Sequence, residues 1–238
     1  MMKTKFWKYF LFIFAFSLLA RWGYKYTPYR VEFLGHYDKV WAHRVNSTEK
    51  LSSALSYFDG IELDLVYLPE RQKLDVNHPP ANSISLDFET YLESIPKEKQ
   101  PYIWLDIKNL TREHSQAIWS RLELLREKMN VEKKHFLIES RYPEALINFM
   151  DTGYTTSYYL PSDLNKIDRE ILNTYPSLGI SANYLLYESL SEEFPERKKY
   201  LWKIDGLSFS SYKKTRKILK DSSVIVVLSK FRSLRGNR

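Results

Sequence analysis

The chain contains no cysteine among its 238 residues. That excludes disulfides, a thiol nucleophile and every zinc site built on thiolates. Glycine is scarce, at seven residues, and no glycine-rich phosphate loop of either standard type occurs. There is no Pro/Gly linker, low-complexity tract or internal repeat, so nothing divides the chain after its first 30 residues. Those 30 residues in turn lack acids, while carrying Lys3, Lys5, Lys8, Arg21, Lys25 and Arg30. They account for six of the seven excess positive charges and leave the rest of the chain nearly neutral. A nucleic-acid-binding surface is therefore not expected. The four cations Lys230, Arg232, Arg235 and Arg238 read as a solvated tail.

What the leader has is an unbroken apolar or weakly polar run from Tyr9 to Ala20, preceded by three lysines. A basic start and a 12-residue apolar run describe a signal peptide, although Leu18 makes a poor cleavage site. If Phe6 and Trp7 enter the interface, the run approaches the short end of a membrane span. Residues 1–30 are thus expected to form a hydrophobic signal or anchor helix. It would contact the membrane and export a single domain over residues 31–238, held at the membrane or secreted. A soluble N-terminal helix is the alternative.

Beyond the leader, short apolar runs alternate with helix-like stretches. The runs are Val40–Ala42, Gly60–Tyr67, Tyr102–Lys108, His135–Ser140, Thr155–Leu160, Leu178–Asn183, Gly206–Ser210 and Ser223–Leu228. Helical patterning covers 48–58, 85–95, 111–129, 143–150, 163–174, 187–199 and 211–220. Lys73–Asn77 reads as an extra strand or hairpin return. Eight strands alternating with helices predict a (β/α)8 TIM barrel of the α/β class.

The run GIELDLVY is the most informative. Side chains alternate faces along a strand, so Glu62 and Asp64 share one face while Ile61, Leu63 and Leu65 share the other. Two adjacent buried carboxylates resist joint ionisation and are costly unless compensated. A hard divalent cation removes both problems, because it takes oxygen ligands. YIWLDIK repeats the pattern, with Asp106 and Lys108 on one face. The competing reading is an inward ion-pair network filling the barrel. Two histidines complete the group: His43 follows the first strand, and His78 follows the KLDVN return within NHPP. Their ordinary pKa near 6.5 suits an acid/base pair. His36, His114 and His135 lack this context.

In order and combination, AHRVNS, IELDL, NHPP and LDIKN resemble the PLC-like, or glycerophosphodiester phosphodiesterase, superfamily. The resemblance is nearest to its menorin-like and spider sphingomyelinase D-like branches and covers roughly residues 40–110. It implies a barrel that cleaves a phosphodiester, either a glycerophosphodiester or a phospholipid-type substrate, as a hydrolase or a cyclising lyase. It also implies one divalent cation, Mg²⁺ first, with Ca²⁺ or Mn²⁺ as alternatives. Glu62, Asp64 and Asp106 would be the metal ligands, His43 and His78 the acid/base pair, and Lys108 the cation beside the phosphate. Arg44 and Asn46 would contact substrate, although Asn46 could instead brace the loop. The sequence departs from the hydrolase pattern at Val45 (usually Gly), at Pro79 and at Asp106 (Glu in many members). The expected state is a monomer. The alternative function is a catalytically silent, exported barrel acting as a membrane-tethered binding protein.

Overall fold

The computed structural model describes residues 2–202 and 208–233, and among them the side chains of residues 2–6, 8 and 209 are left aside. Nine strands form one sheet: β1 (Val40–His43), β2 (Gly60–Leu68), β3 (Lys73–Val76), β4 (Tyr102–Ile107), β5 (Phe136–Ser140), β6 (Thr155–Leu160), β7 (Gly179–Asn183), β8 (Lys199–Trp202) and β9 (Val224–Lys230). All but β3 are parallel, and β1 pairs with both β9 and β2, which closes an eight-stranded barrel. The helices are α1 (Met2–Tyr26), α2 (Thr48–Ala54), α3 (Phe88–Glu93), α4 (Arg112–Met129), α5 (Ile147–Asp151), α6 (Lys166–Thr174), α7 (Tyr187–Glu193) and α8 (Phe209–Lys220). The (β/α)8 expectation is met.

Two apolar layers hold the fold. The larger one lies between strands and helices, where outward side chains such as Ile61, Leu63 and Leu65 of β2 are fully buried. The smaller one plugs the barrel interior with Trp41, Trp104, Leu137, Tyr200, Val226 and Leu228. Rings this large fit because glycine faces them. A Cβ on Gly60 would stand 2.3 Å from the Trp41 ring, and one on Gly179 would stand 2.6 Å from Tyr200. The plug forms the floor on which the polar layer above it rests.

Strand β2 overshoots the barrel. Its last four residues, Leu65–Leu68, pair antiparallel with Val76–Lys73 of β3, which confirms the hairpin return. This hairpin returns the chain to the rim of the barrel at Asn77 and His78. At the other end of the β1–β2 connection, Ser47 caps α2 by accepting from Lys50 N at 3.2 Å.

Three expectations are corrected. The strand expected at Gly206–Ser210 is not there: residues 206 and 207 lie outside the described residues, and Ser208 caps α8. The strand in that place is β8, which opens at Lys199, the last residue of the stretch patterned as helix, while α7 ends at Glu193. Charge disguised it. Lys199 opens β8 fully buried, with its ammonium donating to the carbonyls of Phe194, Pro195 and Arg197 and to Ser223 Oγ at 2.8–3.2 Å.

The second correction concerns the membrane-spanning reading of the leader. It does form a helix, α1, with Tyr9–Phe14 and Phe16, Leu18, Leu19 and Trp22 exposed. However, its 12-residue apolar run is well short of the roughly 20 residues that a span requires. Among the described residues no helix is long and apolar enough to cross a membrane. The C-terminal end of α1 is fixed to the barrel, where the Arg232 guanidinium lies 4.8 Å from the Trp22 ring and 4.5 Å from Tyr26. Third, the basic tail is not simply solvated. Lys230 ends β9 and Arg232 packs on α1, while Arg235 and Arg238 lie outside the described residues.

Replacing Gly60 with alanine should force the Trp41 ring to shift. We expect a loss of about 1–3 kcal/mol in unfolding free energy, measured by urea denaturation.

Candidate active site

The site is built in register. Asp64 of β2 pairs with Asp106 of β4, Asp106 with Glu139 of β5, and Glu139 with Ser157 of β6. One layer below, Glu62 pairs with Trp104. Side chains at these positions point into the barrel, near the C-terminal ends of the strands. All but Ser157 line a cavity of about 350 Å³ together with His43, Arg44, His78, Lys108, Tyr159, Trp202 and Lys230. Seven of the eight residues singled out from sequence therefore converge on one cavity.

Glu62, Asp64 and Asp106 each offer a carboxylate oxygen, and these oxygens lie within 4.8 Å of one another. Glu62 and Asp64 are buried. Burial, followed by repulsion from Asp64 and Asp106, pushes the Glu62 carboxyl well above the usual carboxylate range. Burial also pushes Asp106 up, with Lys108 opposing the shift. Three hard oxygen donors at this spacing are a donor set that a divalent cation fits. Lys108 supplies local positive charge, reaching Asp64 Oδ1 at 2.6 Å and donating also to Asp106 Oδ2. This double partnership raises the ammonium pKa above its ordinary value despite burial.

The stretch His43–Asn46 is held by backbone geometry. Arg44 sits in the left-handed region at φ 54°, where a non-glycine residue is uncommon. Its N–H donates to Glu62 Oε2 at 2.6 Å, and Val45 N donates to Glu62 O at 2.8 Å. Three successive carbonyls of this turn have side-chain donors from outside it. Buried Lys50 donates to His43 O at 3.2 Å and Arg44 O at 2.7 Å, and Tyr91 Oη donates to Val45 O at 2.7 Å. Burial lowers the Lys50 ammonium to about 8.

Asn46 does not line the cavity. Its Nδ2 donates to Asp64 Oδ2 at 2.7 Å while its Oδ1 accepts from Asp64 N at 3.0 Å. Of the two roles open to it from sequence, the geometry supports bracing: it fixes the Asp64 carboxylate from behind.

The two imidazoles flank the carboxylates. His43 Nε2 lies 3.6 Å from Glu62 Oε2, and His78 Nε2 lies 3.8 Å from Asp64 Oδ1. Burial, then Arg44, lowers His43 to about 3, so its ring is neutral and able to accept a proton at neutral pH. His78 Nε2 is 2.9 Å from Arg44 Nη2. Arginine only donates, so this nitrogen accepts. Asn77 N donates to Asp64 O at 3.1 Å, tying the His78 loop to β2. His36, His114 and His135 are elsewhere; His135 is buried and stacked on Tyr102.

Sequence reading missed Glu139, Tyr159, Trp104, Trp202, Lys230, Lys50 and Tyr91. Glu139 carried a legible signal, since FLIES ends an apolar run on an acid in a strand-like stretch, much as IELDL and WLDIK hold theirs. Lys50 and Tyr91 gave none, because their partners are backbone carbonyls brought close only by the fold.

No family model matches the chain, and no curated protein matches it in sequence. Solved structures match it in fold. A glycerophosphodiester phosphodiesterase from Parabacteroides distasonis aligns with a TM-score of 0.61 at 16% identity, covering 81% of this chain and 92% of that one. A phosphodiesterase from Oleispira antarctica, solved with the product sn-glycerol-3-phosphate, aligns with a TM-score of 0.58 at 12% identity, covering 80% and 92%. A second glycerophosphoryl diester phosphodiesterase from Parabacteroides distasonis gives 0.52 at 13% identity, covering 87% and 86%.

Two outcomes follow. Divalent-cation binding, measured by calorimetry, should be lost in Asp64→Asn. In the native protein it should strengthen with rising pH through a range above the ordinary carboxylate pKa, because the protons held by the raised Glu62 and Asp106 carboxyls must leave before the cation enters. Lys50→Met leaves the His43 and Arg44 carbonyls without their donor, which should cost about 1–3 kcal/mol of stability in urea denaturation.

Proposed function

We propose that this barrel is a divalent-cation-dependent phosphodiesterase of the phosphoric diester hydrolase or lyase class. One observation carries the reading: three carboxylates, two imidazoles, a lysine and an arginine converge on a single cavity at the C-terminal ends of the strands. The fold shared with proteins named as glycerophosphodiester phosphodiesterases supports it, and so does the motif resemblance over residues 40–110. An inward ion-pair network accounts less well for the group, because the Glu62 and Asp106 carboxyls stay above the usual carboxylate range even with Lys108 beside them.

Glu62, Asp64 and Asp106 would hold the cation, Mg²⁺ first. When bound, it polarises a non-bridging phosphate oxygen and gathers the negative charge that develops there. The chain's own groups supply the rest. Arg44 and Lys108 put fixed positive charge beside the phosphate, where the transition state gathers negative charge. His43, kept neutral by burial, takes the proton from the attacking hydroxyl or water. His78 is released when the phosphate draws the Arg44 guanidinium away. Once free, its Nε2 would take a proton from solvent, 3.8 Å from the Asp64 carboxylate, and give that proton to the leaving oxygen. Asn46 holds Asp64, and the Lys50–Tyr91 pair holds the turn that aims His43 and Arg44.

The substrate we propose is a glycerophosphodiester or phospholipid-type diester. The barrel would lie on the exported side, a reading that rests on the lysines preceding the Tyr9–Ala20 run.

His43→Ala and His78→Ala should each lower kcat on a phosphodiester by about 10²- to 10⁴-fold while divalent-cation binding persists. Turnover by both variants at the native rate would remove the acid/base assignment.

A further inference from the structure

A second cavity, of about 660 Å³, lies at the root of α1. Trp22, Tyr26 and Tyr29 wall it from the N-terminal segment, and Tyr57, Phe231 and Arg232 wall it from the barrel. The rings touch in sequence: Tyr29 meets Tyr57 with centroids 5.6 Å apart, Tyr57 meets Phe231 at 5.9 Å, and Trp22 meets Tyr26 at 5.3 Å. No acid lines the cavity, and the exposed Ser56 is part of its wall.

The root is firmly mounted. Arg30 Nε donates to Glu32 Oε1 at 2.7 Å in a buried ion pair, and Tyr24 Oη donates to Glu32 Oε2 at 2.7 Å. Arg216 of α8 donates to Glu32 O at 3.3 Å, which ties this knot to the barrel. The root also shares an end of the barrel with the carboxylate cavity. Strand β9 ends at Lys230, which lines that cavity, and Phe231 and Arg232 follow at once.

Beyond the root, Tyr9–Phe14, Phe16, Leu18 and Leu19 of α1 are exposed. A contiguous apolar surface of this size marks a contact. A second copy covering it would bring two sets of six cations together, with no acid among residues 1–30 to offset them. An anionic lipid surface complements that charge instead. The boundary between lipid and water is also where tryptophan and tyrosine settle, because each ring is apolar with a polar tip. The root presents four such rings at the base of the apolar run, with Arg21, Lys25 and Arg232 close in sequence to them.

We infer that the root of α1 is a collar that seats the barrel on an anionic phospholipid surface, with the apolar run in the lipid and the mouth of the carboxylate cavity turned toward the headgroups. The step to a lipid-borne diester rests on the phosphodiesterase reading and deepens it. The seating itself needs no turnover.

The test uses the full chain in EDTA, with vesicles of phosphatidylcholine alone or with phosphatidylglycerol added as three lipids in about ten. Flotation should show binding about 10-fold tighter to the anionic vesicles. Ser56→Glu places an acid in the collar at an exposed position, and Tyr57→Ser removes a ring there. Ser56→Glu should erase most of the anionic preference, and Tyr57→Ser should weaken binding to both vesicles. Both variants should keep the native urea midpoint within about 0.5 kcal/mol, which excludes a folding defect. Hydrogen exchange on the anionic vesicles should slow at residues 52–57 and 231–233 as well as in α1. Native-like binding by both variants, or slowing confined to α1, overturns the collar. So does equal binding to the two vesicles, or a dimer in sedimentation that binds neither. Collar-dependent vesicle binding by a chain that cleaves no diester when Mg²⁺ is restored supports the collar, and only the phosphodiesterase reading then fails.

Discussion

Everything at the top of this barrel is arranged around the repulsion among Glu62, Asp64 and Asp106. Three carboxylates packed into two adjoining low-dielectric layers cannot all ionise unless positive charge or hydrogen-bond donors reach them. The chain provides those donors from three of four directions. The Arg44 backbone N–H reaches Glu62, the Asn46 amide reaches Asp64, and the Lys108 ammonium bridges Asp64 and Asp106. The fourth direction is the cavity itself, where a cation would sit. The left-handed turn at Arg44 makes sense in this light. It aims a backbone N–H at Glu62 while leaving the guanidinium free to face the opposite histidine.

The barrel beneath exists to hold that layer at a fixed height. An interior plug of aromatic and aliphatic side chains takes the place of water under the carboxylates, which lowers the local dielectric and strengthens every charge interaction above it. The plug is possible because Gly60 and Gly179 leave out the side chains that would meet Trp41 and Tyr200. Two of the seven glycines thus serve ring packing, not chain turning.

Strand rhythm and the acids inside apolar runs made both the barrel and its acidic inner face legible in the sequence. Alternation along β2 and β4 places Glu62, Asp64 and Asp106 inward, and parallel register sets Asp64 beside Asp106. What was not legible has a common cause. Lys199, Lys50 and Tyr91 are polar residues whose partners are backbone carbonyls, and no periodicity records a carbonyl's position. A buried lysine at the head of β8 therefore read as part of a charged helix. Lys230 read as tail because a run of cations near a terminus resembles a solvated end, yet it sits opposite His43 in the β1–β9 ladder. Tyr159 and Trp202 gave aromatic content without a face, and only the closure of the barrel brought them together.

The hairpin of β2 and β3 divides the site mechanically. Glu62 and Asp64 lie on the part of β2 that pairs in register with β4 inside the closed barrel, whereas β3 pairs only with the overshoot of β2, beyond an isolated bridge from Asp75 to Asp87. His78 follows β3 directly and stays near Asp64 through Asn77. An edge strand of four residues opens at far lower cost than a closed barrel. Denaturant should therefore loosen the hairpin first, leaving a molecule with its barrel and its carboxylates in place and one imidazole withdrawn. In such a molecule the loss of chemistry and the loss of fold are two separate transitions.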